Sequence, residues 1–371
     1  MESFRRILAL IRKELRTILK DPRARFTVIV PPLLQTLIFG YAATYDLNQV
    51  RFAVYDQDHS EASRQFLADM EGSGTFRRVA NLRDSKEIGP LIDSRRVLVV
   101  VQIGQDFERR LLSGQPADVQ VIADGRNSNT AGTALNYINT IADSFNATWR
   151  RNHGDPPLPV HTVFRAWYNP NLETRWYMVT GMIGMITMVQ MVILTAMSVA
   201  REREQGTFDQ LLVTPFRPIE IMIGKSVPSI FVGLMQVTMI LMLALFWFKI
   251  PFLGSLPTLY LGVFLFLSAA VGIGLMVSSV AATMQQALLG SFLTIMPFVM
   301  LSGLNTPIAN MPHEVQYVTL INPLRYVISV LHRVFLEAAS LSEVASDLWP
   351  LALIALCSLS VAVWMFRGRL V

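Results

Sequence analysis

Gly224-Lys225-Ser226, in the stretch "IEIMIGKSVP", has the residue types that end a phosphate-binding loop. Such a loop needs a glycine five residues before Gly224 to shape it, and that position holds Ile219. It should also follow a strand, whereas this one opens a long uncharged run, so Lys225 is read as marking the boundary of that run. "YDQDHSE" gathers Asp56, Asp58, His59 and Glu61, a set that could hold a cation. A calcium loop begun at Asp56 would need Gly where Glu61 stands and Glu where Leu67 stands. A strand end turning into a helix capped by Ser60 fits better. His153, His161, His313 and His332 lack close metal-ligand spacing, and no Ser/His/Asp arrangement can be argued. The single cysteine, Cys357, can form neither an internal disulfide nor a zinc site. No cofactor is implied.

A further group is the charge cluster Arg201, Glu202, Arg203 and Glu204 in "SVAREREQGTFDQLLVTP". It follows a long apolar run and precedes a helix-like stretch stopped by Pro215. Phe208, Leu211 and Leu212 would share one face of that stretch, with Asp209 and Gln210 turned elsewhere. Such a helix suits docking in a partner's cleft. A loop held at lipid headgroups by its arginines explains the charges equally well. From physics alone the two readings stand even.

The elements that must position these residues are set by hydropathy. The 371 residues are 52% hydrophobic and only 16% charged, where soluble domains carry about 25% charged residues. The shortfall lies in six runs without Asp, Glu, Lys, Arg or His: Phe26–Tyr45, Trp176–Ala200, Ser226–Phe248, Pro257–Ala281, Ala287–Gly303 and Leu348–Phe366. Each approaches the roughly 17–25 residues that cross about 30 Å of hydrocarbon, and none has the polar face of a soluble core helix. The fold class is therefore a mainly α membrane protein with six transmembrane helices. Ion-driven carriers place titratable groups within the membrane, and these runs offer none, so power for any transport must arrive from outside the membrane.

Residues 1–25 carry eight Lys or Arg, with Phe4, Ile7, Leu8, Ile11, Leu15, Ile18 and Leu19 at helical spacing. That predicts a cytoplasmic amphipathic helix against anionic membrane lipid, ending at Asp21-Pro22. By parity of the spans both termini are cytoplasmic. The domains expected are a first span at 26–45, an extracytoplasmic α/β domain at 46–175, a second span at 176–200 and a cytoplasmic coupling loop at 201–225. Spans three to five then occupy 226–303, an outer loop 304–347, the sixth span 348–366 and a short tail 367–371. Strands are expected at "VRFAVYD", "VLVVVQI", "DVQVIAD" and "VHTVFRAWY", alternating with helices over Ser60–Glu71, Asp84–Ser94, Gln105–Leu112 and Thr130–Arg151. In that domain fifteen Lys or Arg meet sixteen carboxylates, which argues against a nucleic-acid partner.

"AREREQGTFDQLLVTP" resembles the signature of type-2 ABC transporter permeases, the membrane subunits of ATP-driven exporters. "LSGLNTPIANMP" (Leu301–Pro312) and "INPLRY" (Ile321–Tyr326) are similar to that family's segments around the fifth span and its outer loop. The order of elements matches the subgroup with an enlarged extracytoplasmic domain. The resemblance implies a bacterial inner-membrane permease that hydrolyses no ATP itself. It also implies two partners, an ABC ATPase subunit and a second permease, identical or paralogous, with a periplasmic adaptor protein as a further candidate. It places ATPase contact at the N-terminal helix and at roughly Arg201–Pro215, so Arg201, Glu202, Arg203, Glu204, Phe208, Leu211 and Leu212 are the coupling candidates. The pathway would be lined mainly by the second and fifth spans, with Met182, Met185, Met188, Gln190 and Met191 as candidates, methionine adapting to varied apolar ligands. The cargo expected is amphiphilic or drug-like. A membrane-anchored receptor or scaffold would need only one or two spans, and a membrane-embedded enzyme would need polar catalytic groups at the membrane face.

Overall fold

The computed structural model describes residues 2–20, 22–42, 49–126, 128–153, 168–169, 173–206 and 218–367. It divides into two compact units, one of residues 45–165 and one of residues 1–44 with 166–371. The chain begins with α1 (Glu2–Lys20) and α2 (Pro22–Ala42). Pro22 opens α2 at a position where its missing N–H costs nothing. α2 runs as one helix through Pro31 and Pro32.

The unit of residues 45–165 holds β1 (Val50–Asp56), α3 (Glu61–Gly72), β2 (Phe76–Asn81), α4 (Ile88–Asp93), β3 (Val99–Ile103), α5 (Phe107–Leu112), β4 (Val119–Ala123) and α6 (Ser128–His153). The sheet order is β2-β1-β3-β4, with β1 parallel to β2 and β3, and β4 antiparallel to β3. Central β3 reads "VVVQI" because both faces of the sheet are covered. Phe52, Val54, Phe66, Met70 and Phe145 form the core on one face; Ala53, Val100, Ile88 and Leu82 form a smaller one on the other. β2 was not among the expected strands, since Arg77 and Arg78 break its apolar alternation. Charges are tolerated there because β2 is an edge strand. The strand expected at "VHTVFRAWY" lies outside the described residues, apart from Tyr168.

The other unit continues with α7 (Thr174–Glu204), α8 (Pro218–Met242, prolonged by a π-helical turn to Trp247), α9 (Leu256–Val280), α10 (Met284–Met300), α11 (His313–Val318), α12 (Pro323–Leu336) and α13 (Leu341–Arg367). Among the described residues five helices are long and apolar enough to cross a membrane: α2, α7, α8 with its prolongation, α9 and α13. The fifth uncharged run, Ala287–Gly303, forms α10, a shorter apolar helix of 17 residues, about 25 Å long at 1.5 Å per residue. It stops at Met300, ahead of Gly303, whose φ of +89° no L side chain adopts without strain. The charge cluster is not part of a loop, as α7 stays helical to Glu204.

α9 is the central helix. Within its apolar window 72% of residues are buried inside the chain, against 22% for α2 and 28% for α13, so the latter two present apolar surface outward. Its small residues explain the centrality, because they let neighbouring backbones approach. A Cβ on Gly274 would lie 2.9 Å from the Val192 carbonyl oxygen of α7, and Ser358 Oγ of α13 donates to Ala269 O at 3.3 Å.

Gly274→Val is expected to destabilise the bundle by about 1–3 kcal/mol through overpacking against α7. Gly132→Ala in α6, where open space surrounds the site, is expected to stabilise by up to about 1 kcal/mol through helix propensity. Calorimetric unfolding of the detergent-purified chain checks both signs.

Candidate functional site

At one end of the bundle a cluster of charges joins several helices. α1 is strongly amphipathic, and its stripe Ile7 and Ile11 includes Glu14 by helical spacing. Leu10, one turn before Glu14, is buried where α1 crosses α8. A Cβ on Gly224 would sit 2.8 Å from Leu10 Cβ, so glycine at this position permits the crossing. Lys225 follows and is buried, its side chain 5% exposed. Its Nζ lies 3.2 Å from Glu14 Oε1 and 2.8 Å from Glu202 Oε2, and donates to Ser198 Oγ at 3.5 Å. Gly224-Lys225-Ser226 is thus not a phosphate loop but part of a helix crossing locked by ion pairs. Lys13, far more exposed, adds a contact to Glu202 Oε1 at 3.4 Å.

The next two residues of α7 reach the turn between α9 and α10. Arg203 Nη1 donates to the carbonyls of Ser278, Ser279 and Ala281 at 3.4, 3.0 and 3.1 Å, and the guanidinium lies over the Phe366 ring of α13 at 5.7 Å. Those carbonyls end α9, where no intrahelical donor remains. Glu204 Oε2 accepts the Met284 N–H that opens α10, at 2.9 Å. Thr283 Oγ1 caps Gln286 N at 3.2 Å, and Gln286 Oε1 accepts Ala282 N at 2.9 Å. A cation thus meets a helix C-terminus and an anion a helix N-terminus, the favourable sense for both dipoles. Arg201 is exposed. Phe208, Leu211 and Leu212 lie outside the described residues.

Of the pathway candidates, Met182, Met188 and Met191 are buried in the core of the bundle, and Met185 packs partly exposed against it. Gln190 Nε2 donates to Thr27 O at 3.0 Å. Thr27 stands four residues before Pro31, whose missing N–H frees that carbonyl, so Gln190 supplies the donor that proline removes. Glu14 and Gln190 have roles that the sequence reading did not assign, although Glu14 was detectable as a carboxylate on an apolar stripe.

The other chemistry-bearing residues serve local structure. Asp56 Oδ1 accepts the Asp58 and His59 N–H groups at 3.0 and 3.2 Å, and Ser60 Oγ caps α3 through Ser63 N at 3.1 Å. Asp58 Oδ2 accepts Glu108 N at 3.1 Å. His332 Nε2 lies 2.9 Å from Tyr177 O, and His153 stacks on Trp149; His161 lies outside the described residues. Among the described residues no group of three or more His, Cys, Asp or Glu is placed to hold a metal ion. A cavity of about 360 Å³ in the α/β unit is lined by Arg51, Arg95, Val97, Leu98, Asp124, Arg126 and Thr130. There the Arg126 guanidinium, hydrogen-bonded to Asp124, holds that carboxyl down at about 2.

Residues 24–364 match the family described as ABC-2 family transporter protein. The chain is 40% identical over 367 residues, covering 99% of both chains, to a probable multidrug ABC transporter permease of Escherichia coli, YbhR. It is 32% identical over 343 residues to a second such permease of that organism, YbhS, covering 90% of this chain and 89% of that one. It is 31% identical over 375 residues to the E. coli inner membrane transport permease YhhJ, covering 99% and 98%. The chain belongs to the ABC-2 transporter family.

Removing Lys225 leaves Glu14 and Glu202 facing one another with little water. Lys225→Ala is expected to cost about 3 kcal/mol, whereas Lys13→Ala, at a side chain 56% exposed, should cost no more than about 1 kcal/mol. Thermal unfolding of the two purified variants checks the difference.

Proposed function

We propose that this member of the ABC-2 transporter family is the permease subunit of an ATP-driven exporter in a bacterial inner membrane, coupled to a separate ABC ATPase and paired with a second permease. The single observation that carries the coupling is the end of α7. The helix runs unbroken from its apolar segment into Glu202, Arg203 and Glu204, and those residues contact α1, α8, α9, α10 and α13. The stretch "TFDQLLVTP" follows directly after Gly206. A displacement delivered at Phe208, Leu211 and Leu212 would reach the bundle through that helix end. Arg201, exposed beside it, remains a candidate for direct ATPase contact.

Orientation follows from charge. Eight Lys or Arg in residues 1–25 support a cytoplasmic N-terminus; with α10 taken as the fifth of six spans, the unit of residues 45–165 is extracytoplasmic in this reading. That position suits a periplasmic adaptor. The names of the two probable multidrug permeases support an amphiphilic, drug-like cargo. The proposed pathway runs along α7 and α10. On α7 it uses Met185 and Gln190, which keep some surface, rather than Met182, Met188 and Met191, which are enclosed. α10 offers the exposed stripe Leu289, Phe292, Leu293, Met296 and Met300.

Leu211→Asp is expected to leave membrane insertion intact and to lower permease-dependent ATP hydrolysis by about tenfold or more, a coupling loss within the usual range. Hydrolysis by the co-purified complex in lipid nanodiscs is the measurement. An unchanged rate, or purification of an active transporter without any ATPase, rejects the proposal.

A further inference from the structure

Arg203 and Glu204 are adjacent and opposite in charge, Arg203 half-buried and Glu204 exposed. Both are spent on a three-residue turn, Ala281–Thr283, between α9 and α10. The turn has no glycine in the left-handed region to close α9; Ala281 leaves the helix at an extended ψ of 134°. The carbonyls of Ser278, Ser279 and Ala281 would therefore lack donors without the Arg203 guanidinium. The Met284 N–H would lack an acceptor without Glu204. Around this contact Ala196 and Ala200 of α7 pack directly on Ala281 and Ala287, so the backbones are close as well as bonded.

We infer that Arg203 and Glu204 are positioning residues that clamp the end of α7 to the α9–α10 turn, so that a movement of the α7 end carries the start of α10 with it. The inference rests on the coupling reading above and deepens it by assigning these two residues inward, to α10, rather than outward, to the ATPase. The geometry favours transmission over mere support because the two bonds act in opposite senses. Arg203 holds the last turn of one helix and Glu204 the first N–H of the next. The turn can neither slide along α7 nor rotate about it without breaking one of them. The alanine packing, by contrast, would permit sliding.

The test uses the full permease–ATPase complex in nanodiscs, in a Cys357→Ser background, with Leu289→Cys as reporter on the exposed stripe of α10. The reporter's rate of maleimide labelling is compared between nucleotide-free and vanadate-trapped complex, and retention of the ATPase is scored separately. In the otherwise unchanged clamp a change of about tenfold or more is expected. Arg203→Ala with Glu204→Ala should keep the ATPase bound and hydrolysing while that change disappears. The reversed pair, Arg203→Glu with Glu204→Arg, should lose it too, because each charge then faces the wrong helix end. Should the alanine pair fail to fold, Arg203→Lys and Glu204→Gln singly carry the same comparison. A nucleotide response that survives loss of the clamp overturns the inference, as does release of the ATPase, which would assign the residues outward. No response with the clamp intact would overturn the coupling reading itself.

Discussion

The polar end of this bundle is organised by three consecutive charged side chains at the end of one helix. Each residue of an α-helix turns its side chain by about 100°, so Glu202, Arg203 and Glu204 cannot share a direction. Glu202 meets Lys225 and Lys13, Arg203 meets the end of α9, and Glu204 meets the start of α10. Helices that cross a membrane satisfy their own backbone groups everywhere except at their ends. The directional contacts available for joining them are therefore concentrated at the ends, and here one helix supplies several at once. Alternating charge, which reads along the chain as a solvated run, is in three dimensions a hub.

The same logic accounts for Gln190 and Gly224. A proline inside α2 frees a carbonyl, and an amide from α7 answers it. A glycine in α8 admits α1 closely enough for Glu14 to reach Lys225. Both are repairs of backbone or charge in places where water is scarce, and unanswered groups there cost far more than the contacts gain.

What was legible in the sequence follows from which signals are one-dimensional. A helix apolar on all sides shows itself as an uncharged run, so the five long apolar helices lie at five of the six runs and the shorter α10 at the other. Which helix is central does not show this way. α9 and α13 have similar apolar windows, with hydropathies of 2.3 and 2.0, yet very different burial. The small residues Ala269, Ala270, Gly272 and Gly274 were the available clue. β2 escaped because an edge strand, unpaired along one side, tolerates Arg77 and Arg78. Glu14 was visible as a carboxylate at apolar spacing, but its partner, Lys225, is 211 residues away in sequence. Only the folded crossing pairs them. The methionines of α7 show a different limit: spacing puts them on the helix, but only packing decides that Met188 and Met191 face inward.

The contacts at the α7 end differ in how they would respond to force. Lys225 is nearly enclosed, and its pairs with Glu14 and Glu202 are screened little by salt. Lys13 reaches Glu202 from a largely exposed position and is screened far more. The inner link is therefore stiff and the outer one yielding. At 31 residues α7 is about 46 Å long, and a Cβ on Gly181 or Gly184 would crowd Leu304 or Val327 on neighbouring segments. A helix packed so closely along its length cannot shift at one end alone. Its neighbours must move with it or the packing must open, and the stiff links at its charged end favour moving together.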